Sequence, residues 1–393
     1  MRSVSTNVKE GKKNKVKKTN KRPFWVPLII SWVILAISGM LITYNFIVAD
    51  VNNEKVKGDI IIKENERELF VIKNGDTTTS IAEKLKERGL VGNVNIFKIL
   101  SKLEGFDGTY KTGTHYLKKG LELRDIMKIL ASPTETIKIT FPEGYTISKI
   151  ANKLYDEYKR KLGDSYDICT PEKFLKAVNN LYKDDKDFFQ KYPLLEGMDF
   201  SGRDNALEGY LFPDTYLFDL SASPEEIIGV MINNFSNRYL ASYTTKAASL
   251  GLTLDEVIKL ASIVEKEARL GSEGRRIAGV FYNRINSTNS SLNRLQSCAT
   301  LQYIIERQTG SVKEVLKWSD TQIEGTYNTY LHEGLPPGPI CNPGEKSIKA
   351  VLNLEKHDYY FFVQDSRNEL GSHLFSKTNS EHENNKKLVN SEV

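Results

Sequence analysis

Apolar residues recur with strand and helix periods where the folded part of the chain is expected to begin. Arg67–Ile72 has the composition of a β-strand, and Ser80–Arg88 places Ile81 and Leu85 on one face of a helix. Gly75 lies between the two segments, where glycine favours a turn. These residues predict a strand, a turn and a helix in that order.

The same unit recurs further along the chain. Residues 137–141 alternate between apolar and polar positions, and an amphipathic helix follows them. Gly144 precedes Ile150 and Leu154 by the same intervals at which Gly75 precedes its own isoleucine and leucine. The shared spacing predicts an internal repeat, although two unrelated amphipathic helices would also share apolar residues at helical spacing.

The remaining sequence predicts a mixture of helices and separate strands. Residues 155–200 are polar and aromatic and are predicted to be helical, whereas glycine, proline and aromatic residues become frequent from Leu207. A helix is predicted over Leu254–Ala268 with Thr253 at its start, and a buried strand over Tyr359–Val363. Together these elements predict the α+β fold class.

An uncharged segment near the N-terminus predicts a single transmembrane helix at 23–49. About 20 helical residues suffice to cross a hydrocarbon core of about 30 Å. A cleaved signal peptide is the alternative, but its apolar region is normally only about 7–15 residues long and ends at small residues. Because basic residues precede the span, we expect a cell-membrane protein with its N-terminus in the cytoplasm and its C-terminal portion outside.

The charge of the chain is concentrated in the tail before this segment. Of 55 basic and 50 acidic residues, nine and one lie in residues 1–22, which leaves 46 and 49 for the rest. A nearly neutral C-terminal portion argues against a nucleic-acid partner, and the basic tail is expected to contact anionic membrane lipid.

Size and cysteine content favour a fold that depends on its hydrophobic core. The 393 residues, 40% of them hydrophobic, are enough for two or three domains. Cys169, Cys298 and Cys341 do not stand at metal-ligand spacing, and a disulfide between the last two stays open. His332 begins a segment with Pro336 where a zinc-protease helix needs its second histidine. We therefore expect no metal and no cofactor.

One short segment, Leu207–Tyr216, combines an acid with aromatic rings. Glu208 lies close to Tyr210, Phe212 and Tyr216. Aromatic rings stack on sugar faces, and a carboxyl group kept from water has a raised pKa and can donate a proton near neutral pH. The alternative is a buried turn in which Glu208 accepts a hydrogen bond from a backbone amide and the rings belong to the core.

The chain resembles the YceG-like endolytic murein transglycosylase family, also called MltG, in six segments that occur in order. They are LEGYLFPDTY at 207–216, LASIVEKEA at 260–268, GVFYNRI at 279–285, LQSCATLQY at 295–303, YNTYLHEGLPPGPICNPG at 327–344 and HLFSKTNSEH at 373–382. The resemblance implies a lytic transglycosylase that cleaves the MurNAc-GlcNAc bond of nascent peptidoglycan strands and leaves 1,6-anhydro-MurNAc ends. Its expected role is to terminate strand elongation.

The resemblance implies that Glu208 is the catalytic acid and then the base, because the sugar's own 6-hydroxyl attacks C1 and no water is used. Hydrolysis would need two carboxylates about 5–5.5 Å or about 6.5–9.5 Å apart. Asp214 is the nearest second acid, so a hydrolytic muramidase stays an alternative. A non-catalytic glycan-binding scaffold of the cell-wall synthesis machinery is the other.

Further residues are candidates for substrate binding. Asn328 and Gln296 can donate to and accept from a sugar amide, and a structural role is the alternative for each. Glu265 and Glu267 share the predicted helix 254–268, where Glu265 is expected to orient Glu208 or pair with Arg284 unless both acids face solvent. The complete set of substrate-binding candidates is Tyr210, Phe212, Asp214, Tyr216, Glu265, Gln296, Asn328 and Tyr330.

Cys298 departs from the family pattern, which commonly has an aspartate at this position. If that acid took part in catalysis, its loss would reduce activity. A role in shaping a loop, which the small cysteine also fills, is the alternative.

The sequence predicts seven regions and three kinds of partner. The resemblance implies peptidoglycan strands and cell-wall synthases as partners, and the N-terminal helix and basic tail predict contact with membrane lipid. The regions are a basic cytoplasmic tail at 1–22, a transmembrane helix at 23–49, a tether at 50–66, a LysM-like module at 67–132, a linking region at 133–206, the catalytic core at 207–380 and a flexible tail at 381–393. The LysM-like module is what the resemblance implies, and a rigid spacer is the alternative to glycan binding by it.

Overall fold

The structure, a computed structural model, describes residues 25, 29–40, 62–63, 66–268, 270–367 and 371–390, and at 239–242 and 390 only the backbone. Residues 29–40 are helical and mostly exposed. Within these ranges, none of the helices has both the length and the apolar character that a membrane span requires. The predicted tail, and most of the predicted transmembrane helix and tether, lie outside the described residues.

The first part of the fold has a small core of its own. Phe70, Leu85, Phe97, Leu117 and Ile126 are buried in it. Two strands, Glu68–Ile72 and Gly113–Leu117, pair antiparallel, with Phe70 opposite His115. The elements are β1 (Glu68–Ile72), α1 (Thr78–Glu87), α2 (Val94–Leu103), β2 (Gly113–Leu117) and α3 (Leu123–Ala131).

The second part contains the remaining elements and a larger core. The strands are β3 (Thr136–Thr140), β4 (Thr215–Asp219), β5 (Phe361–Gln364) and β6 (His373–Ser376). They form two antiparallel pairs, β3 with β4 and β5 with β6. The helices are α4 (Ile147–Leu162), α5 (Pro171–Asp184), α6 (Phe188–Lys191), α7 (Pro224–Ser249), α8 (Leu254–Glu267), α9 (Gly274–Ile285), α10 (Cys298–Thr309), α11 (Glu345–Leu352) and α12 (Asn379–Asn390). This mixture confirms the predicted α+β class.

Local sequence explains where many helices begin. In each of five helices, a serine or threonine side chain accepts a hydrogen bond from the backbone N–H three residues later. Such a cap satisfies a donor that has no partner within the helix and contributes about 1 kcal/mol. The capping residues are Thr77, Thr146, Thr170, Ser223 and Thr253. The predicted start of α8 at Thr253 is confirmed.

The repeated strand, turn and helix are present in both parts. Gly75 and Gly144 have positive φ angles of 86° and 76°, which glycine adopts readily. Each glycine lies two residues before the threonine cap of the following helix. Ile81 and Ile150, at equivalent positions, are both buried. The predicted repeat is therefore confirmed as local structure.

The two parts are joined through a half-buried carboxylate. Asp219, at the end of β4, accepts hydrogen bonds from the Thr114 backbone N–H at 2.8 Å and from its hydroxyl at 2.6 Å. Thr114 belongs to β2, so this contact fixes one strand of the first part against one of the second.

Three sequence expectations need correction. The linking region at 133–206 is not separate from the catalytic core, because its apolar side chains share one core with those of α8. The strand at 359–363 was expected to be buried, but β5 is only half-buried because β6 is its sole strand partner within the described residues. The tail from 381 is not flexible through 390, since α12 extends to there and buries Val389.

Replacement of Gly209 tests the packing beside α8. Gly209 has a φ of 92°, and an added Cβ would lie 2.5 Å from Pro339 Cγ and 2.9 Å from Ile258 Cγ2. Gly209→Ala should lower the free energy of unfolding by about 2–5 kcal/mol, which combines backbone strain with overpacking. Gly75→Ala, with similar φ but open space around it, is the matched control and should cost only about 1–2 kcal/mol. Urea unfolding of the purified chain gives both values, and equal losses would contradict the close packing.

Candidate active site

A cleft of about 800 Å³ lies where α8, α10 and the β5–β6 pair approach one another. Its lining combines charged, polar and aromatic side chains, which suits an extended polar ligand with apolar ring faces. The lining includes Thr146, Lys266, Glu267, Arg284, Gln296, Ser297, Cys298, Ala299, Tyr303, Tyr330, Ile340 and His373.

Glu267, the last residue of α8, supplies an acid to the cleft. Its Oε1 accepts hydrogen bonds from the Ser297 hydroxyl at 2.5 Å and the Ala299 backbone N–H at 3.3 Å. Ala299 belongs to the first turn of α10, so the carboxyl group also lies at the positive end of that helix. Burial raises the pKa of Glu267, while the hydrogen bonds from Ser297 and Ala299 oppose the rise. A carboxyl group in this setting can release and regain a proton closer to neutral pH than an exposed one.

Glu208 does not line this cleft. Its side chain is 0% exposed and accepts hydrogen bonds from the Ile147 backbone N–H at 3.0 Å and from Asn342 Nδ2 at 3.0 Å. Asn205 Nδ2 adds a longer bond of 3.4 Å. This is the buried-turn alternative, in which the glutamate accepts from a backbone amide, here at the N-terminal end of α4. The structure therefore gives no access from the cleft to the residue that the resemblance implied as the catalytic acid.

Asn342 was not predicted and is the main partner of the Glu208 turn. Its Oδ1 accepts from the backbone N–H groups of Gly209 and Leu211, at 3.0 and 2.9 Å. Its Nδ2 donates to Glu208 and to the Tyr145 carbonyl oxygen. All of these groups are buried or partly buried, so Asn342 fixes the turn that contains Glu208 against the start of α4. The CNPG segment contains this asparagine, but no spacing in the sequence relates it to Glu208.

The aromatic rings near Glu208 belong to the core. Tyr210 is buried and donates its hydroxyl to Asp255, and Phe212 stacks on Phe235 with ring centroids 5.7 Å apart. The Tyr216 hydroxyl donates to the Phe212 carbonyl oxygen at 2.6 Å. The structure therefore places Tyr210, Phe212 and Tyr216 in the core, as the buried-turn alternative expects, and not in the cleft.

Asp214 lies in a surface ion pair and does not face Glu208 across a cleft. Its Oδ2 accepts from Arg238 at 2.6 Å and from Asn234 at 3.0 Å. Burial tends to raise the pKa of Asp214, but hydrogen bonds from Asn234, Thr215 and Arg238 lower it below its ordinary value. An ionised carboxylate with these partners is not placed to assist Glu208, and its predicted role in binding is not supported.

Glu265 supports a helix. Its Oε2 accepts from the Gly344 backbone N–H at 3.1 Å and the Ser347 hydroxyl at 2.6 Å, at the N-terminal end of α11. Arg284 donates to other groups, so the expected pairing of Glu265 with Arg284 is wrong. Glu265 does not line the cleft and does not bond to Glu208.

Two of the predicted binding residues do line the cleft, namely Gln296 and Tyr330. Asn328 does not, because it is fully buried and its Nδ2 donates to the carbonyl oxygens of Thr321 and Ile323 at 3.0 and 2.7 Å. Its Oδ1 accepts from the Tyr330 backbone N–H. Asn328 therefore shapes the loop beside the cleft, which agrees with the structural role that the sequence left as its alternative.

Cys298 is the first residue of α10 and is exposed at the cleft. Its Sγ lies 3.3 Å from the Tyr330 hydroxyl. Cys341 is buried, with its thiol on the Ser262 carbonyl oxygen, and all three cysteines are free. The disulfide that the sequence left open is therefore not formed.

Comparisons with known proteins agree with this fold. The sequence profile of the YceG-like family matches residues 70–388. The endolytic murein transglycosylase of Bacillus subtilis (strain 168) is 31% identical over 316 residues, which are 79% of this chain and 81% of that protein. The endolytic murein transglycosylase of Streptococcus pneumoniae serotype 2 (strain D39 / NCTC 7466) is 32% identical over 330 residues, 80% of this chain and 57% of that protein. The crystal structure of a yceG-like protein from Listeria monocytogenes superposes with a TM-score of 0.52 at 29% identity and covers 81% of this chain and 99% of that one.

The burial of Glu208 predicts a pH-dependent stability. Burial raises its pKa from 4.5 to about 8, against the hydrogen bonds from Ile147 and Asn205. The folded chain therefore keeps a proton that the unfolded chain loses, and the resulting stability is present below pH 4.5 and lost as the pH rises to about 8. Glu208→Gln removes this loss. The stability of the variant relative to the wild type should rise by up to about 1.4 kcal/mol per pH unit across that window.

Urea unfolding at several pH values between 5 and 9 measures this difference. Glu83→Gln, at an exposed position of α1, is the control and should show a constant difference. A difference for Glu208→Gln that does not change with pH would contradict the raised pKa.

Proposed function

The chain belongs to the YceG-like family, and we propose that it is an endolytic murein lytic transglycosylase whose active site is the cleft that contains Glu267. The observation that carries the assignment of the site is the Glu267 carboxyl group, which lines the cleft, has a raised pKa and accepts two hydrogen bonds at the start of α10. Its substrate is the peptidoglycan glycan strand, and it cleaves the bond between N-acetylmuramic acid and N-acetylglucosamine.

The reaction needs one carboxyl group that acts twice. Protonated Glu267 donates its proton to the glycosidic oxygen as the bond from C1 of N-acetylmuramic acid breaks, and the leaving N-acetylglucosamine keeps that proton on its 4-hydroxyl. The Glu267 carboxylate then takes the proton of the 6-hydroxyl while that oxygen bonds to C1 and closes the 1,6-anhydro ring. No water is consumed, and the carboxyl group returns to its starting state.

The surroundings of Glu267 suit both steps. Burial favours the protonated form that the first step needs. The Ser297 hydroxyl and the Ala299 N–H stabilise the carboxylate that forms after the first proton transfer, and the α10 N-terminus adds to this. These donors are in place before the reaction begins, so they do not have to reorganise during it.

Glu208 is less suited to this role because its carboxyl group is enclosed. A general acid must come within about 2.6–3.2 Å of the oxygen that it protonates. The cleft wall is formed by other residues, among them Thr146, Tyr303 and Ile340, and Glu208 is not part of it. Hydrolysis by Glu208 and Asp214 is also disfavoured, because Asp214 pairs with Arg238.

Several features outside the cleft belong to the same proposal. We propose that residues 23–49 anchor the chain in the cell membrane, that its C-terminal portion is extracytoplasmic, and that the basic tail contacts anionic lipid. The uncharged segment and the preceding basic residues support this. Such an anchor would confine cleavage to nascent strands close to cell-wall synthases, and so limit strand length. The separate core of residues 70–130 supports a distinct module, which we propose to be LysM-like.

Exchange of each glutamate separates the two assignments of the catalytic acid. Glu267→Gln should lower cleavage of purified glycan strands by about 100-fold or more, because the general acid is lost. Glu208→Gln should keep most of the activity wherever circular dichroism shows it folded. Mass spectrometry of the products should show ends lighter by one water. If only Glu208→Gln loses activity, Glu208 is the general acid. Reducing ends on the products would mean hydrolysis. No cleavage by the folded wild type would favour a glycan-binding scaffold.

Removal of the Ser297 hydroxyl tests how the pKa of Glu267 is set. Ser297 donates to the carboxylate and so opposes the rise in pKa that burial causes. In Ser297→Ala the pKa should rise further, and activity should persist to higher pH before it falls. The alkaline limb of the kcat/KM profile measures this shift. Thr170→Ala, which removes the cap of α5 far from the cleft, is the control for lost stability. A lower rate without displacement of the limb would argue against Glu267 as the acid.

A further inference from the structure

Gln296 has an unusual backbone conformation at the edge of the cleft. Its φ angle is 51°, and within the described ranges it is the one non-glycine residue with a positive φ. Such a conformation costs on the order of 1–3 kcal/mol and persists only where surrounding contacts enforce it. Here the Gln296 N–H donates to the Thr329 carbonyl oxygen and the Ser297 N–H to the Thr329 hydroxyl, both at 3.0 Å. The strain places an exposed side chain in the cleft.

The orientation of the Gln296 amide is set by Arg284. This arginine, 4% exposed on α9, donates through Nε to the Arg294 carbonyl oxygen, through Nη1 to that of Tyr360 and through Nη2 to Gln296 Oε1 at 2.6 Å. A guanidinium group has only donors, so the amide oxygen of Gln296 must face it. The NH₂ group is therefore turned away from Arg284, into a cleft that both residues line.

The positive charge of Arg284 strengthens this arrangement. Among the described residues no carboxylate forms an ion pair with it, and its hydrogen bonds go to carbonyl oxygens. Burial lowers its pKa to about 10, so it stays charged at neutral pH. A bond from a cation to the amide oxygen polarises the amide and makes its NH₂ group a better donor.

We propose that the Gln296 NH₂ group donates a hydrogen bond to the N-acetyl carbonyl oxygen of an amino sugar in the cleft and so selects N-acetylated glycan. The inference rests on the proposed function, because it requires glycan in this cleft. Sugar hydroxyls donate as well as accept and would be matched by many groups. The acetamide carbonyl oxygen only accepts hydrogen bonds. An N-deacetylated sugar instead presents an ammonium group, which cannot accept a hydrogen bond from Gln296 and is repelled by the positive charge of Arg284. The site therefore selects by attraction and by repulsion.

The substitution Gln296→Glu tests this proposal with little change in shape. In Gln296→Glu an oxygen still accepts from Arg284, but the atom that faces the cleft becomes an acceptor. On fully N-acetylated strands kcat/KM should fall by about 10-fold or more, the value of one lost hydrogen bond. The wild type should cleave chemically N-deacetylated strands poorly, and on these strands the kcat/KM of the variant should not fall below that of the wild type. Gln322→Glu, on an exposed residue away from the cleft, is the control.

Binding measurements distinguish a failure of this inference from a failure of the proposed function. Calorimetry in a Glu267→Gln background compares N-acetylated with N-deacetylated strands, with and without Gln296→Glu. Loss of the preference for N-acetylated strands on adding Gln296→Glu is the expected result, even if no strand is cleaved. If Gln296→Glu lowers the affinity for both kinds of strand equally, Gln296 has a structural role. If it lowers the affinity for neither, Gln296 does not contact the sugar. Either outcome overturns the inference. If neither strand binds, both proposals fail.

Discussion

The architecture around the cleft depends on glutamate carboxylates that accept hydrogen bonds at the N-terminal ends of helices. Glu208 bonds to α4, Glu265 to α11 and Glu267 to α10. Helix N-termini carry unsatisfied N–H groups and a partial positive charge, and both favour a carboxylate that burial would otherwise destabilise. Each contact also fixes the start of one helix relative to α8 or to the turn at 207–216. The walls of the cleft therefore meet at defined positions.

This interaction serves a structural role at Glu208 and the proposed chemical one at Glu267. The difference is whether the rest of the carboxyl group is enclosed by protein or faces the cleft. Glu208 is enclosed, because Asn205 and Asn342 approach it in addition to the α4 backbone. Glu267 has its protein partners at α10 and faces the cleft with the rest of its side chain. Burial raises the pKa of both groups. A raised pKa is thus compatible with a structural and with a chemical role, and access to the cleft separates the two.

Cys298 illustrates how a departure from the family pattern can leave a site intact. The sequence raised the concern that an acid is missing there. The hydrogen bonds to Glu267 come from the Ser297 hydroxyl and the Ala299 backbone, on either side of Cys298. The thiol itself contacts the Tyr330 hydroxyl. The side chain at position 298 therefore does not supply either donor to the acid of the cleft.

The sequence alone determined the α+β class, the family, the repeated strand and helix, and the capped start of α8, because these follow from short-range periodicity, caps and characteristic segments. It brought Gln296 and Tyr330 into the candidate site, but it also favoured Glu208, which the structure encloses, and aromatic rings that lie in the core. Only the tertiary structure decided which glutamate faces the cleft, since the partners of Glu208 and Glu267 come from residues 61 and 30 positions away. Helical periodicity distinguishes an apolar from a polar face. It does not reveal whether a polar side chain meets water, a ligand or the end of another helix, because that depends on long-range packing.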